Sequence, residues 1–152
     1  MTIRSANPGE FDQLAAIWEA SVRASHGFLG EADIAALRPL VRHDYLPAVT
    51  LRVYADAADR PVGFLGVADG KVEMLFIAPD AQGQGVGGCL VRHAVEVLGC
   101  GCVDVNEQNP RAVRFYRYMG FVVRGRSALD GQGRPFPLLH MALGEAGLPR
   151  PA

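Results

Sequence analysis

Seven consecutive residues, Gln82-Gly83-Gln84-Gly85-Val86-Gly87-Gly88, carry the most specific chemistry in the chain. An apolar run at 72–78 leads through Pro79-Asp80-Ala81 into this loop. After it, Val86, Leu90, Ala94, Val97 and Leu98 recur at helical spacing. The loop therefore opens a helix. The first amides of a helix have no internal acceptor and lie at the positive end of its dipole. Glycine lets an anion approach them, because no Cβ stands in the way. A pyrophosphate on the amides of residues 83 to 88 is the expected chemistry. Two nucleotide readings compete at this point. Gly83-x-Gly85-x-x-Gly88 satisfies the dinucleotide fingerprint, with Asp104 about 20 residues further on. That fingerprint wants a direct strand-to-turn entry, which Pro79 and the residues after it prevent. The loop also lacks the Gly-Lys-Ser/Thr ending of a P-loop.

The elements that must position this loop follow from pattern. Residues 2–6 read as a short strand. Asn7-Pro8-Gly9-Glu10 then starts a helix, with Asn7 as cap, Pro8 at the first position and Glu10 as the capping-box acid. Phe11, Leu14, Ala15, Trp18 and Val22 form its apolar stripe, and it stops near His26-Gly27. A second helix runs from Glu31 to about Leu46, with a bend expected at Pro39. Strands at 50–55, 62–68 and 72–78, joined by short turns, imply antiparallel pairing. A strand at 102–105 follows the glycine-loop helix. Asn109-Pro110 opens another helix, which Gly120 closes. Strands at 121–129 and 136–143 form a last hairpin. The order β-α-α-β-β-β-α-β-α-β-β is α+β, with one parallel crossover from 72–78 to 102–105. It amounts to a mixed, mostly antiparallel sheet of about seven strands with about four helices. Residues 1–143 read as a single domain, and the Gly- and Pro-rich tail 144–152 is expected to fray.

Two blocks together resemble a known family. Leu75-Phe76-Ile77-Ala78-Pro79 followed by Gln82-x-x-Gly85-x-Gly87 is similar to the coenzyme A loop of the GNAT acyl-CoA N-acyltransferases. Asn109 through Phe115-Tyr116 to Gly120-Phe121 looks like that family's second signature. Their spacing and the element order over about residues 2 to 143 also suit it. The resemblance implies a GNAT-like fold and transfer of an acetyl group from acetyl-CoA to a primary amine, by direct attack in a ternary complex. It implies that the backbone of Leu75, Phe76 and Ile77 pairs with the pantetheine arm. It places the pyrophosphate on Gln82, Gly83, Gln84, Gly85, Val86, Gly87 and Gly88. Asn106 and Asn109 would reach the pantetheine or nearby coenzyme, Phe115 would pack on it, and Tyr116 would protonate the departing thiolate. A phenol is neutral at pH 7, as a general acid must be.

The base is less determined. Strand alternation puts Glu73 on the face of Leu75 and Ile77, aimed at the acceptor pocket. His26 has a side chain that titrates near neutral pH and lies in the loop where the resemblance implies acceptor binding. Asp104 is a third candidate. Each residue also has a plainer reading: Asn109 as an N-cap, Phe115 as core, Tyr116 as half-buried filler, Glu73 as an ordinary strand carboxylate, His26 as a helix-end histidine. His43, His93 and His140 show no metal spacing and read as structural or solvated.

Bulk composition narrows the alternatives. The chain has 152 residues, 49% of them apolar and 20% charged, with a net charge of −1. That balance argues against nucleic acid as a partner. The arginines at 111, 114, 117, 124 and 126 alternate with apolar residues and form no block. Cys89, Cys100 and Cys102 are odd in number and form no C-x-x-C pair, so buried free thiols are expected rather than a disulfide or a metal site. No run approaches the ~20 apolar residues of a membrane span. A cytoplasmic protein is expected, monomer or homodimer, using a small-molecule or peptide amine. A non-catalytic acyl-CoA-binding domain and a dinucleotide-binding oxidoreductase are the remaining alternatives.

Overall fold

The computed structural model describes residues 2–25, 27 and 29–150. A seven-stranded sheet has the order β1-β2-β3-β4-β5-β7-β6. Its strands are β1 Thr2–Ser5, β2 Thr50–Ala55, β3 Pro61–Ala68, β4 Lys71–Ile77, β5 Cys102–Asn106, β6 Phe121–Ser127 and β7 Leu138–Leu143. Among the described residues only β4 and β5 pair in parallel. The helices are α1 Phe11–Ser25, α2 Glu31–Leu40, the short α3 Leu46–Ala48, α4 Val86–Glu96 and α5 Pro110–Tyr118. A π-helical stretch, Val41–Tyr45, joins α2 to α3, so the rod expected to bend at Pro39 runs on to Ala48. Pro39 has no N–H to give the ladder, and the wider turns follow it.

Two apolar clusters cover the sheet. One face packs Leu90, Val91 and Ala94 of α4 and Tyr116 of α5 on Val72, Val103, Val105, Phe121 and Met141. The other packs Leu14, Trp18 and Val22 of α1 and Ile34 of α2 on Leu51, Val53, Phe64 and Met74. Each such side chain contributes about 1.5–3 kcal/mol when fully buried. The second cluster contains no residue of β5, β6 or β7, so it leaves that end of its face uncovered. At the entry to α1, Glu10 Oε1 accepts from the Asn7 amide at 2.9 Å. Arg4 holds the same carboxylate at 2.8 Å.

The last hairpin forms as expected: β6 and β7 pair antiparallel, with β7 beside β5 and β6 at the edge. The burial expected of the three thiols is corrected. Of the three free thiols only Cys100 is buried. Cys102 begins β5 on the face away from α4, and Cys89 lies on the outer side of α4, so both are exposed. Residues 144–150 carry no helix or strand; Leu148 packs on the α4 cluster and Arg92 donates to the Pro149 carbonyl. Among the described residues no helix is long and apolar enough to cross a membrane.

Candidate active site

The site begins where β4 and β5 part. They pair only at Lys71–Cys102 and Val72–Val103. Immediately beyond, the β3–β4 register shifts: Gly66 faces Met74 and Val67 faces Val72, leaving Glu73 as the extra residue of a bulge. A bulge bends its strand and increases its twist, which turns β4 away from β5. Past Val72 the β4–β5 ladder stops, and a strand edge can pair with an extended ligand as it pairs with another strand. The bulge also corrects the alternation expected for Glu73. Val72, not Glu73, packs in the cluster shared by Leu75 and Ile77, because the extra residue resets the phase.

The glycine loop closes one end of the split. A single 3-10 turn, Pro79–Ala81, separates β4 from it. Gly83 and Gly85 adopt φ of 79° and 81°, a left-handed conformation that side chains with a Cβ disfavour. Gly85 is the N-cap of α4, so the amides of the first turn point out of the helix end. An open cavity of about 430 Å³ lies against them. Gln82, Gly83, Gly85, Val86, Gly87 and Gly88 line it at one end, and Leu75, Phe76 and Ile77 line it along β4. Gln84 does not line it; its amide donates to the Asp80 carbonyl at 3.3 Å. The α5 side supplies Asn109, Ala112, Phe115 and Tyr116. Asn109 does cap its helix, accepting from the Ala112 amide at 3.2 Å, and also faces the cavity. Ser21 and Arg111 join the lining, and neither was expected as a site residue. The Arg111 guanidinium donates to Gln82 Oε1 at 3.3 Å across the mouth.

A second cavity of about 130 Å³ passes through the split. Glu73, Asp104 and Asn106 line it from one face, and Val103, Val105 and Tyr116 from the other. Asn106 Oδ1 also accepts from the Gln108 amide at 2.8 Å. Tyr116 is a wall of both cavities. Its ring is wedged edge-on between Phe115 and Phe121, with centroids at 5.1 and 5.5 Å. Burial pushes its phenol above the ordinary value, so it stays protonated. Partial desolvation beside the split pushes the Glu73 carboxyl up as well, although the residue is exposed. Asp104 goes the other way. Burial works against its charge, but hydrogen bonds from Lys71 at 2.8 Å and His140 at 2.6 Å outweigh this and hold its carboxyl down.

The structure thus brings together Leu75, Phe76, Ile77, the glycine loop, Asn109, Phe115 and Tyr116, and adds Glu73 and Asn106 at the far end. His26 lies outside the described residues. Among the described residues no group of three or more His, Cys, Asp or Glu is placed to hold a metal ion.

A split parallel strand pair, a left-handed glycine turn at a helix N-terminus and a cavity joining them make up the site. Residues 49–123 match the acetyltransferase (GNAT) domain. The chain belongs to the GNAT acetyltransferase family and is an N-acetyltransferase. It is 45% identical over 141 residues to the peptidyl-lysine N-acetyltransferase YjaB of Salmonella typhimurium, covering 93% of this chain and 97% of that one. The solution structure of the apo form of YjaB from Escherichia coli superposes with a TM-score of 0.85 at 43% identity, covering 93% of this chain and 95% of that one. The PaiA N-acetyltransferase of Thermoplasma acidophilum, solved with coenzyme A, shares the fold at 20% identity, with a TM-score of 0.73 and coverage of 94% and 98%.

Proposed function

We propose that this enzyme acetylates lysine side chains of peptides or proteins, using acetyl-CoA bound in the larger cavity. The observation that carries this reading is the continuity of that cavity, from the amides of the glycine loop to Tyr116 at the split. It joins a helix N-terminus suited to a pyrophosphate to a split suited to a thioester. The pyrophosphate takes amides of the glycine loop between residues 83 and 88, and the pantetheine pairs with the β4 backbone at Leu75, Phe76 and Ile77. A β4 amide near the split donates to the thioester oxygen as negative charge develops there. Asn109 steadies the arm and Phe115 packs against it, while Asn106 stands at the far end, in the wall of the smaller cavity.

The acceptor enters from the other face, through the smaller cavity. Glu73 takes a proton from the ammonium group; its raised proton affinity suits a base acting near neutral pH. The amine attacks the thioester carbon, the C–S bond breaks, and Tyr116 protonates the departing sulfur. The second proton lost by nitrogen replaces the one Tyr116 gave. His26 is the other candidate for the base. The lysine acceptor is supported by the activity of the relatives at 45% and 43% identity.

Free-thiol release from acetyl-CoA with lysine-bearing peptides tests the reading. Turnover is expected with such peptides, and Tyr116→Phe is expected to lower kcat by about 10²–10⁴-fold while coenzyme A still binds. Release that does not depend on the peptide would remove the acceptor assignment, and an unchanged kcat in Tyr116→Phe would remove the acid.

A further inference from the structure

A row of polar side chains crosses four strands beside the split. Lys71 Nζ on β4 donates to Asp104 Oδ2 on β5 at 2.8 Å. Asp104 Oδ1 meets His140 Nδ1 on β7 at 2.6 Å, and His140 Nε2 meets Ser127 Oγ on β6 at 2.6 Å. Asp104 and His140 are direct cross-strand partners. Their neighbours Val103, Val105, Leu139 and Met141 all belong to the α4 cluster, so alternation sends Asp104 and His140 to the opposite face. That is the end of the sheet which the α1–α2 cluster leaves uncovered.

Proton placement in the row follows from chemistry. A carboxylate only accepts, so Nδ1 carries the hydrogen in the Asp104 pair; in the neutral ring Nε2 then accepts from the Ser127 hydroxyl. Two donors from opposite sides fix the Asp104 plane, yet each carboxylate oxygen keeps a lone pair. Asp104 lines the smaller cavity, where the Tyr116 phenol, in a residue 94% buried (6% exposed), has no hydrogen-bond partner among the described residues. An anion tethered at one wall and an unpartnered phenol at another frame a space for a group that is cationic before reaction and next to the leaving sulfur during it.

We propose that Asp104 is the fixed anion that receives the acceptor's ammonium group at the split, with Lys71 and His140 as positioning residues and Ser127 steadying the ring. The proposal rests on the acetyltransferase reading and separates two tasks within it: Glu73 accepts a proton, while Asp104 stays charged and orients the nitrogen. It makes the site selective for a long cationic side chain, since the ammonium must reach the split while the rest of the acceptor lies over β5, β7 and β6.

The test is a comparison of a lysine peptide with the same peptide carrying norleucine, an isostere without the ammonium. Dissociation constants are measured for wild type, Asp104→Asn and His140→Ala with coenzyme A bound. Wild type is expected to prefer lysine by about tenfold or more. Asp104→Asn is expected to erase most of that preference while norleucine binding stays within about twofold. His140→Ala, which frees one side of the carboxylate, is expected to erase part of it and to serve if Asp104→Asn does not fold. Coenzyme A affinity and melting temperature monitor the fold of each variant. A preference that survives both changes, or a wild type that does not distinguish the two peptides, overturns the proposal. Failure of wild type to bind or acetylate the lysine peptide would instead overturn the peptide-acceptor reading itself.

Discussion

Glu73 and Asp104 face one small cavity with opposite proton affinities, and the difference comes from their neighbours. Glu73 gains no hydrogen-bonding cation to offset burial, whereas Asp104 has two donors. Carboxyls whose environments push them apart in this way divide the work of proton acceptor and permanent anion. Glu73→Gln should therefore lower kcat/KM by about 10²–10⁴-fold and remove the acidic limb of its pH profile, which in wild type lies above the ordinary glutamate range. The same shift has a stability consequence of determined sign. A carboxyl whose folded-state affinity is raised contributes stability fully below its unfolded pKa, and that contribution is lost as pH rises through the folded one. At pH 7 to 8 the charged form opposes folding, so Glu73→Gln should melt slightly above wild type, with the gap closing below about pH 4. The effect is small because Glu73 is exposed enough for water to screen it. Thermal melts across pH, beside thiol-release kinetics, check both; a variant that keeps full activity rules out Glu73 as base.

At the scale of elements, the glycine loop works through backbone geometry. A Cβ at Gly85 would meet no atom within 4 Å, so the left-handed φ alone opposes substitution. Gly85→Ala should cost about 1–2 kcal/mol of stability and weaken coenzyme A as the first-turn amides turn away. Gly88→Ala is the contrast. It has no positive φ, its Cβ would make an ordinary contact with the Met119 sulfur at 3.8 Å, and it lies within a helix, where alanine is favoured. Its fold should be as stable as wild type or more so. Denaturation and coenzyme A titration of the pair measure this; equal behaviour of the two variants would deny the left-handed turn its role. These elements were legible in the chain because each has a local cause. The glycines, Pro110 after Asn109 and the apolar spacing of α4 announce themselves within a few residues. The bulge at Glu73 does not, because one glutamate in an otherwise apolar strand fits ordinary alternation and the extra residue shows only against β3. His140 was legible as a residue and hidden as a partner. Its pairing with Asp104 depends on β7 inserting beside β5, a long-range choice that no local pattern encodes. Ser21 and Arg111 face the larger cavity for the same kind of reason.

At the scale of the whole molecule, the sheet is two halves with a narrow join. Strands β1 to β4 form one, β5, β7 and β6 the other, and only two residue pairs link them across the sheet. The Lys71–Asp104 ion pair reinforces the join, and the α4 cluster draws residues from both halves. A ligand seated along the open edge of β4, with α5 over it, touches elements on both sides of the split. Coenzyme A should thus act as a missing strand, and its binding should stabilise the join more than the distant hairpin turns. At about one hundred times its Kd it contributes about 2.7 kcal/mol, which for a chain of this size raises Tm by roughly 5–11 °C. A nicotinamide dinucleotide offers a pyrophosphate but no pantetheine to pair with β4, and should shift Tm far less. Amide hydrogen exchange locates the effect: protection should rise over residues 72–77, 83–88 and 102–106, and stay unchanged in the turn at 56–60. Protection confined to 83–88 would mean that only the pyrophosphate is held and that the open edge of β4 does not receive the arm.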